Sequence, residues 1–289
     1  MRIDLHVHSN ASDGTDDPAE VMRRAAVAGL DVVALTDHDT QAGLAEASAA
    51  LPDGLTLVPG MELSCQLSSA PSEGRAPQTH PTRSVHLLAY LFDPEDSALA
   101  AETERVRDDR TYRARAMVDR LAALGTGVTW GQVEAIAGDA VVGRPHIARA
   151  LAAAGAVETP AGAFTDEWIG DGGRAFVERY APDLARAVAL VRAAGGVPVL
   201  AHPRSPGYEV GDDAIAGLAD AGLAGIEVFH LDHDEAERAR LWRLARSLGL
   251  IATGGSDDHG TYNDHGLGAA TTPEEEYERL LALAGTIRC

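Results

Sequence analysis

The chain has 289 residues, 45% of them hydrophobic and 24% charged, with a formal net charge of −20, the balance of a soluble globular protein of one large or two modest domains. All 24 basic residues are arginine, which excludes Schiff-base lysine chemistry, a P-loop lysine and a carboxylated lysine bridging two metals, and the acidity argues against a face for long duplex nucleic acid. Two cysteines, Cys65 and Cys289, give no disulfide framework, and the lack of a signal-like or long apolar run leads us to expect a cytoplasmic protein with no membrane partner.

From the N-terminus, short apolar runs alternate with helical periodicity, the pattern of βαβ units. Strands are predicted at 3–8, 31–36, 55–59, 84–92, 197–202, 225–230 and 250–254. Several are apolar on both faces, as parallel strands covered by helices should be. Helices are predicted at 18–28, 41–50, 182–194, 212–221 and 234–248, most of them followed at once by glycine, the residue suited to a left-handed cap. The Ser- and Pro-rich segment 66–83 reads as a loop. Between 96 and 182 the rhythm becomes helix after helix. Ala114, Met117, Val118, Leu121 and Leu124 share one face of a long helix; a second follows Thr129; a third covers 145–154, with Pro145 in its first turn. The expected architecture is α/β: a barrel of about seven β/α units in residues 1–98 and 183–289, with an all-helical insertion at 99–182 capping one face.

The first strand carries His6-Val7-His8, and residues two apart on a strand face the same side. Asp13 follows in Ser-Asp-Gly, which alone reads as a turn. The second strand ends in Thr36-Asp37-His38-Asp39, polar residues crowded at a carboxyl edge, where barrel enzymes place their sites. Glu62 follows the third strand and His86 lies in the fourth, between apolar neighbours. His202 ends a buried strand just before Pro203; His230 ends the next; Asp257 and His259 follow the last. A lone histidine is more often a satisfied polar group than a ligand. Six histidines (His6, His8, His38, His86, His202, His259) and three carboxylates (Asp13, Glu62, Asp257) at the same strand ends point to divalent cations. This donor set suits Zn, Mn or Fe alike. Two or three such ions would outweigh the three carboxylates and make the cavity attractive to phosphate.

These motifs, with Ala201-His202-Pro203 and Gly255-Ser256-Asp257-x-His259, resemble the PHP (polymerase and histidinol phosphatase) superfamily over the whole barrel. The helical insertion and Gly143-Arg144-Pro145-His146 resemble the branch of nucleoside 3′,5′-bisphosphate phosphatases and short-RNA 5′→3′ exonucleases. The resemblance implies a distorted seven-stranded barrel with up to three metals. His6, His8, Glu62 and Asp257 would hold one; Glu62 would bridge to a second, completed by His86 and His202; Asp13, His38 and His259 would hold a third. Asp258, where relatives often carry an apolar or aromatic residue, is expected to add negative charge beside the site.

The expected reaction is hydrolysis of a phosphomonoester by a hydroxide shared between cations at Glu62. Arg144, with its planar fork, is the candidate to hold phosphate oxygens. His146, His230 and His233 are candidates for leaving-group protonation or ribose contact, with Arg144, His146 and His233 lining the substrate. Arg107, Arg110 and Arg113 share a helix face that could meet a second phosphate, although it reads first as an exposed charged stripe. The expected partner is a small phosphorylated molecule, a nucleotide or short oligonucleotide. A histidinol-phosphate phosphatase, an oligonucleotide exonuclease and a silent regulatory module remain alternatives.

Overall fold

The computed structural model describes residues 1–68, 82–206, 209–262 and 265–287. Seven strands form one sheet in sequential order: β1 (Ile3–Val7), β2 (Val32–Leu35), β3 (Thr56–Ser68), β4 (Thr82–Tyr90), β5 (Val197–Leu200), β6 (Gly225–Phe229) and β7 (Ile251–Gly254). The sheet nearly closes on itself. The chain just past β7 meets β1, with Asp257 N donating to His6 O at 2.8 Å and His8 N donating to Asp258 O at 2.9 Å.

The helices between strands are α1 (Pro18–Val27), α2 (Leu44–Ala49), α6 (Leu184–Ala193), α7 (Asp212–Asp220) and α8 (Glu235–Leu248). Asp17 caps α1 by accepting from Glu20 N, and Asp234 caps α8 by accepting from Glu237 N. α8 ends at Gly249, whose φ of 72° an L-side chain would resist. Leu184, Val188 and Val191 of α6, Ile215 and Leu218 of α7 and Leu241 of α8 bury their apolar stripes against Leu63, Leu87, Leu200 and Ile226 of the sheet.

One strand runs against the rest. β4 is antiparallel to both β3 and β5, whereas all other neighbours are parallel. The expected distorted barrel of seven strands is present, and the parallel βαβ pattern holds for every neighbouring pair except the two that involve β4. Glu62 does not follow the third strand but lies inside it, just past the point where β3 leaves its register with β2 at Leu35↔Pro59 and opposite Leu88 of β4. Strand structure also runs into both ends of the segment read as a loop, to Ser68 and from Thr82; the rest of that segment lies outside the described residues. A helix that sequence reading did not anticipate, α9 (Glu274–Ile287), packs Tyr277, Leu280 and Ala284 against Ile3, Val197 and Ile251.

Between β4 and α6 come α3 (Ser97–Ala123), α4 (Trp130–Ala137) and α5 (Arg144–Ala153). Leu99, near the start of α3, belongs to the barrel's apolar cluster. Ala114, Met117, Val118 and Leu121, about four turns and more further on, pack with Val133, Ile147 and Leu151 in a cluster of their own. This helical layer stands over the barrel's ligand-bearing end: Arg110 of α3 reaches Asp39 and Ser64 of the barrel.

Candidate metal centre

Strand periodicity explains how the ligands converge. Along β3, Val58 and Glu62 share a face, as do His86, Leu88 and Tyr90 along β4. Val58, Leu88 and Tyr90 fill the apolar interior, so Glu62 and His86 continue the same face into a polar end. His6 and His8 stand on one side of β1, with buried Val7 on the other.

At the centre, five contacts among His6 Nε2, His8 Nε2, Glu62 Oε2 and Asp257 Oδ1 measure 3.1, 3.1, 3.3, 3.1 and 3.2 Å. A regular tetrahedron with edges of that size has its centre about 1.9 Å from each corner, close to the length of a zinc–nitrogen or zinc–oxygen bond. The donor chemistry agrees. His6 Nδ1 stands 3.1 Å from Glu227 Oε1, which fixes the ring proton there and turns the lone pair of Nε2 inward. Asp257 Oδ1, although within 3.3 Å of two ring nitrogens, makes no hydrogen bond, and Asp13 Oδ1 and His38 Nδ1 are likewise buried without one. Acceptors facing acceptors in a buried site call for cations, and this donor set fits a divalent metal.

Two further groups adjoin. His38, Glu62 and His86 form one; His8, Asp13, His38 and His259 form the other. Glu62 divides its oxygens: Oε2 faces His6, His8 and His38, while Oε1 lies 2.8 Å from His86 Nδ1 and 3.1 Å from His202 Nε2. His38 stands between groups, its Nδ1 3.2 Å from Glu62 and its Nε2 3.8 Å from Asp13. His259 Nε2 is 3.3 Å from Asp13 Oδ1. All nine residues expected to hold metal thus converge, and a cleft of about 190 Å³ opens beside Glu62, His86, His202 and His259.

Burial opposes the charges of Glu62, Asp13 and Asp257, yet surrounding imidazoles hold all three carboxyls well below the usual carboxylate range. Burial also works against a charged His259, but Asp13 and Asp257 outweigh it and push the imidazole up to about 10. Burial prevails at His38, which drops to about 3.

Sequence reading missed the carboxylates that hold the ligands in place. Glu227 of β6 takes His6 Nδ1 and also accepts from His202 N at 2.9 Å. Asp37 accepts from Ser9 N, Ser9 Oγ and Ser12 Oγ, pinning the loop that carries Asp13. Asp4 accepts from Ser256 N and Oγ beside Asp257; burial raises its pKa to about 6 against those hydrogen bonds. Asp39, His202 and Asp257 adopt positive φ of 54°, 23° and 52°, local strain of the kind that gathers at functional sites. A signal existed: Asp4 and Glu227 are charged residues flanked by apolar neighbours within short, largely apolar strands.

The remaining candidates separate. His230 Nε2 lies 3.5 Å from Asp257 Oδ2, and its Nδ1 accepts from Asp232 N. His146 is buried near Asp13, its Nδ1 accepting from Gly143 N. Arg144 donates to Asp171 Oδ1 and Ile169 O in the helical layer. His233 is corrected as a substrate contact: both ring nitrogens are taken by backbone, Nδ1 with Val228 O and Nε2 with Arg204 N. Asp258 turns one carboxylate oxygen to Arg24 at 3.0 Å, so the negative charge expected beside the site is paired on that side, while its Oδ1 is buried without a hydrogen bond. Arg110 and Arg113, read as part of an exposed stripe, are buried.

A nearly closed α/β barrel with histidines and carboxylates gathered at one end defines a metal-dependent hydrolase. Comparison with known proteins narrows the class. Residues 4–122 match the PHP domain. A 3′,5′-nucleoside bisphosphate phosphatase of Chromobacterium violaceum is 36% identical over 263 residues, 89% of this chain and 87% of that protein. A 5′-3′ exoribonuclease of Haemophilus influenzae is 33% identical over 262 residues, 89% and 90% of the two chains. Among solved structures, one from Bifidobacterium adolescentis described as a metal-dependent phosphoesterase superposes with a TM-score of 0.85 at 34% identity, covering 97% of this chain and 96% of that one. An amidohydrolase of Chromobacterium violaceum with bound sulfate and no metal gives 0.81 at 32%, covering 98% and 97%. The chain belongs to the PHP family and is a metal-dependent phosphoesterase. Among the described residues, no helix is long and apolar enough to cross a membrane.

Proposed function

We propose that the chain hydrolyses a phosphomonoester of a nucleotide-type substrate, a nucleoside 3′,5′-bisphosphate or nucleoside monophosphate. The close convergence of donor atoms from His6, His8, Glu62 and Asp257 carries this reading, because a bound cation would satisfy all four at once. In it, those four would hold one ion, Glu62 with His86 and His202 would hold a second, and Asp13, His38 and His259, with His8 beside them, would hold a third. Mn, Fe and Zn all suit these donors. Divalent cations so held supply charge neutralisation at the phosphoryl oxygens and activation of a water molecule.

The chain's own groups do the rest. His230, with Nδ1 engaged as an acceptor, keeps its proton on Nε2 at the edge of the cluster, where a leaving oxygen would need one. His146 likewise carries its proton on Nε2 and can donate to substrate. Asp171 holds Arg144, and residues 99–182 act as a cap on a barrel formed by 1–98 and 183–289. The nucleotide preference draws on the bisphosphate phosphatase relative, and the sulfate in its Chromobacterium neighbour is a tetrahedral oxyanion of phosphate's shape. The Haemophilus relative supports a second reading, 5′→3′ cleavage of short RNA. The free, buried Cys65 thiol suits a cytoplasmic setting.

The test is elemental analysis of the purified protein joined to phosphate release from adenosine 3′,5′-bisphosphate, nucleoside monophosphates, short RNAs and histidinol phosphate. Asp13→Ala, His38→Ala and Asp257→Ala should each lower turnover by orders of magnitude while the far-ultraviolet spectrum stays unchanged. Undiminished rates in all three, or histidinol phosphate as the preferred substrate, would refute the reading.

A further inference from the structure

The cleft beside the metal cluster is lined by members of the ligand set with two exceptions, Ser205 and Asp232. Neither belongs to any of the groups spaced to hold an ion. Ser205 follows β5 in the turn His202-Pro203-Arg204-Ser205, closed by Ser205 N donating to His202 O at 3.0 Å. It is 4% exposed, and among the described residues its Oγ has no hydrogen-bond partner. A hydroxyl sealed from water and left unbonded is costly until something completes it. Asp232 follows β6, two residues past His230, and its side chain is half-exposed. Its Oδ2 lies 3.9 Å from His230 Nδ1, but that nitrogen already accepts from Asp232 N and has no proton to give. Among the described residues no arginine pairs with this carboxylate.

The two loops are tied to each other. His233 Nδ1 donates to Val228 O, so Nε2 presents a lone pair, and Arg204 N donates to it at 3.2 Å. Arg204 Nε also lies 3.3 Å from Glu237 Oε2 of α8. One imidazole thus fixes the turn after β5 against the turn after β6, and Ser205 and Asp232 stand at the cleft before any ligand arrives. A free carboxylate there repels phosphoryl oxygens, so its partner is a hydrogen-bond donor and not an anion. A serine hydroxyl both donates and accepts. The pair therefore matches a hydroxyl group. Position agrees with chemistry: a leaving oxygen that takes its proton from His230 Nε2 brings the sugar bearing it beside His230, where Asp232 stands.

We propose that Ser205 and Asp232 bind the sugar hydroxyl next to the scissile ester, the 2′-hydroxyl of a nucleoside 3′-phosphate, and so select ribonucleotides over 2′-deoxyribonucleotides. The inference rests on the nucleotide-phosphoesterase reading above and deepens it to the sugar. Asp232 accepts the hydroxyl proton, as a carboxylate does on the ribose of dinucleotide cofactors. The Ser205 hydroxyl, which can turn among staggered rotamers, donates to the same oxygen. A substrate lacking that oxygen leaves both side chains unmatched, a steeper penalty than loss of an apolar contact.

The experiment measures kcat/KM of the metal-loaded wild type, Asp232→Ala and Ser205→Ala on adenosine 3′,5′-bisphosphate and on its 2′-deoxy counterpart. With one charged and one neutral hydrogen bond at stake, the wild type should favour the ribonucleotide by at least about 30-fold. Asp232→Ala should shrink that ratio about 10-fold and Ser205→Ala about 3-fold. The ratio is decisive because a lost charge near the metals, or a displaced His230, alters both substrates alike. A wild type indifferent to the sugar, or a preference that neither variant diminishes, would overturn the proposal. If Asp232→Ala does not fold, Asp232→Asn, which keeps the shape without the charge, decides by the same ratio. If the wild type releases phosphate from neither nucleotide, the reading of function fails instead. The hydroxyl site is then judged by unfolding temperature, which adenosine 3′,5′-bisphosphate should raise more than its 2′-deoxy counterpart in the wild type and equally in Asp232→Ala; equal rises in the wild type would refute it.

Discussion

Glu227 lies fully buried in β6 and would be costly there without partners. Its two oxygens meet two donors, His6 Nδ1–H and the amide of His202, and so orient two imidazoles from different strands at once. A Glu227→Gln side chain keeps the shape but turns an NH2 group toward one of those donors. Metal affinity should fall 10- to 100-fold, measured by competition with a chromophoric chelator, while the chelated variant remains folded; an unchanged affinity would show that Glu227 plays no orienting part. At this scale the sequence disclosed the ligands better than their supports. His6, His8, His202 and Asp257 stand where apolar runs stop, and polar residues at such ends attract notice. Arg113 and Arg110 were not legible as buried, since arginines at helical spacing look alike whether they face water or a neighbouring layer. His233 failed for the converse reason: only coordinates show that backbone groups occupy both its nitrogens.

Existence and order of the strands follow from apolar runs and glycine punctuation, but strand direction does not. The second half of β4, Leu87 to Tyr90, is apolar on both faces, and such a run packs equally well either way round. Its reversal brings His86 to the cluster from mid-strand and sets it beside Glu62 across the β3–β4 ladder. Closure of the sheet has a sharper local requirement. A Cβ on Gly255 would lie 2.3 Å from His6 Cβ and 2.5 Å from His6 N, so the chain leaving β7 approaches β1 more closely than any side chain permits. Gly255→Ala should force β1 and the post-β7 segment apart, costing about 3 kcal/mol or more and lowering the unfolding temperature by about 6 °C or more. Since the displaced backbone carries His6 and Asp257, bound metal should fall in parallel. A variant with wild-type melting and metal content would mean that the two segments do not touch.

The molecule as a whole carries a large negative charge, yet its site must attract phosphate, so the balance between bound cations and bound protons governs both stability and capture. Without metal, the carboxylates are neutralised by imidazolium. Burial disfavours charge on His6, His8, His202 and His259, but neighbouring carboxylates prevail and raise all four, His259 to about 10. A base whose folded pKa exceeds its unfolded value contributes stability that is complete below the unfolded pKa, about 6.5 for histidine, and is lost as pH rises through the folded value. The imidazoles that burial pushes down, His38 and His86, are neutral in both states above that pH and do not offset the loss. Protein stripped with a chelator should therefore melt at progressively lower temperature from about pH 6.5 to 9. Metal-loaded protein should hold its melting temperature over that interval, because the cations replace the protons, and loading at pH 7 should release protons into a weakly buffered solution. A chelated melting temperature that stays level or climbs over this range would mean that the imidazoles are not the carboxylates' counter-ions. The cluster would then not be the competition between protons and metal that its geometry implies.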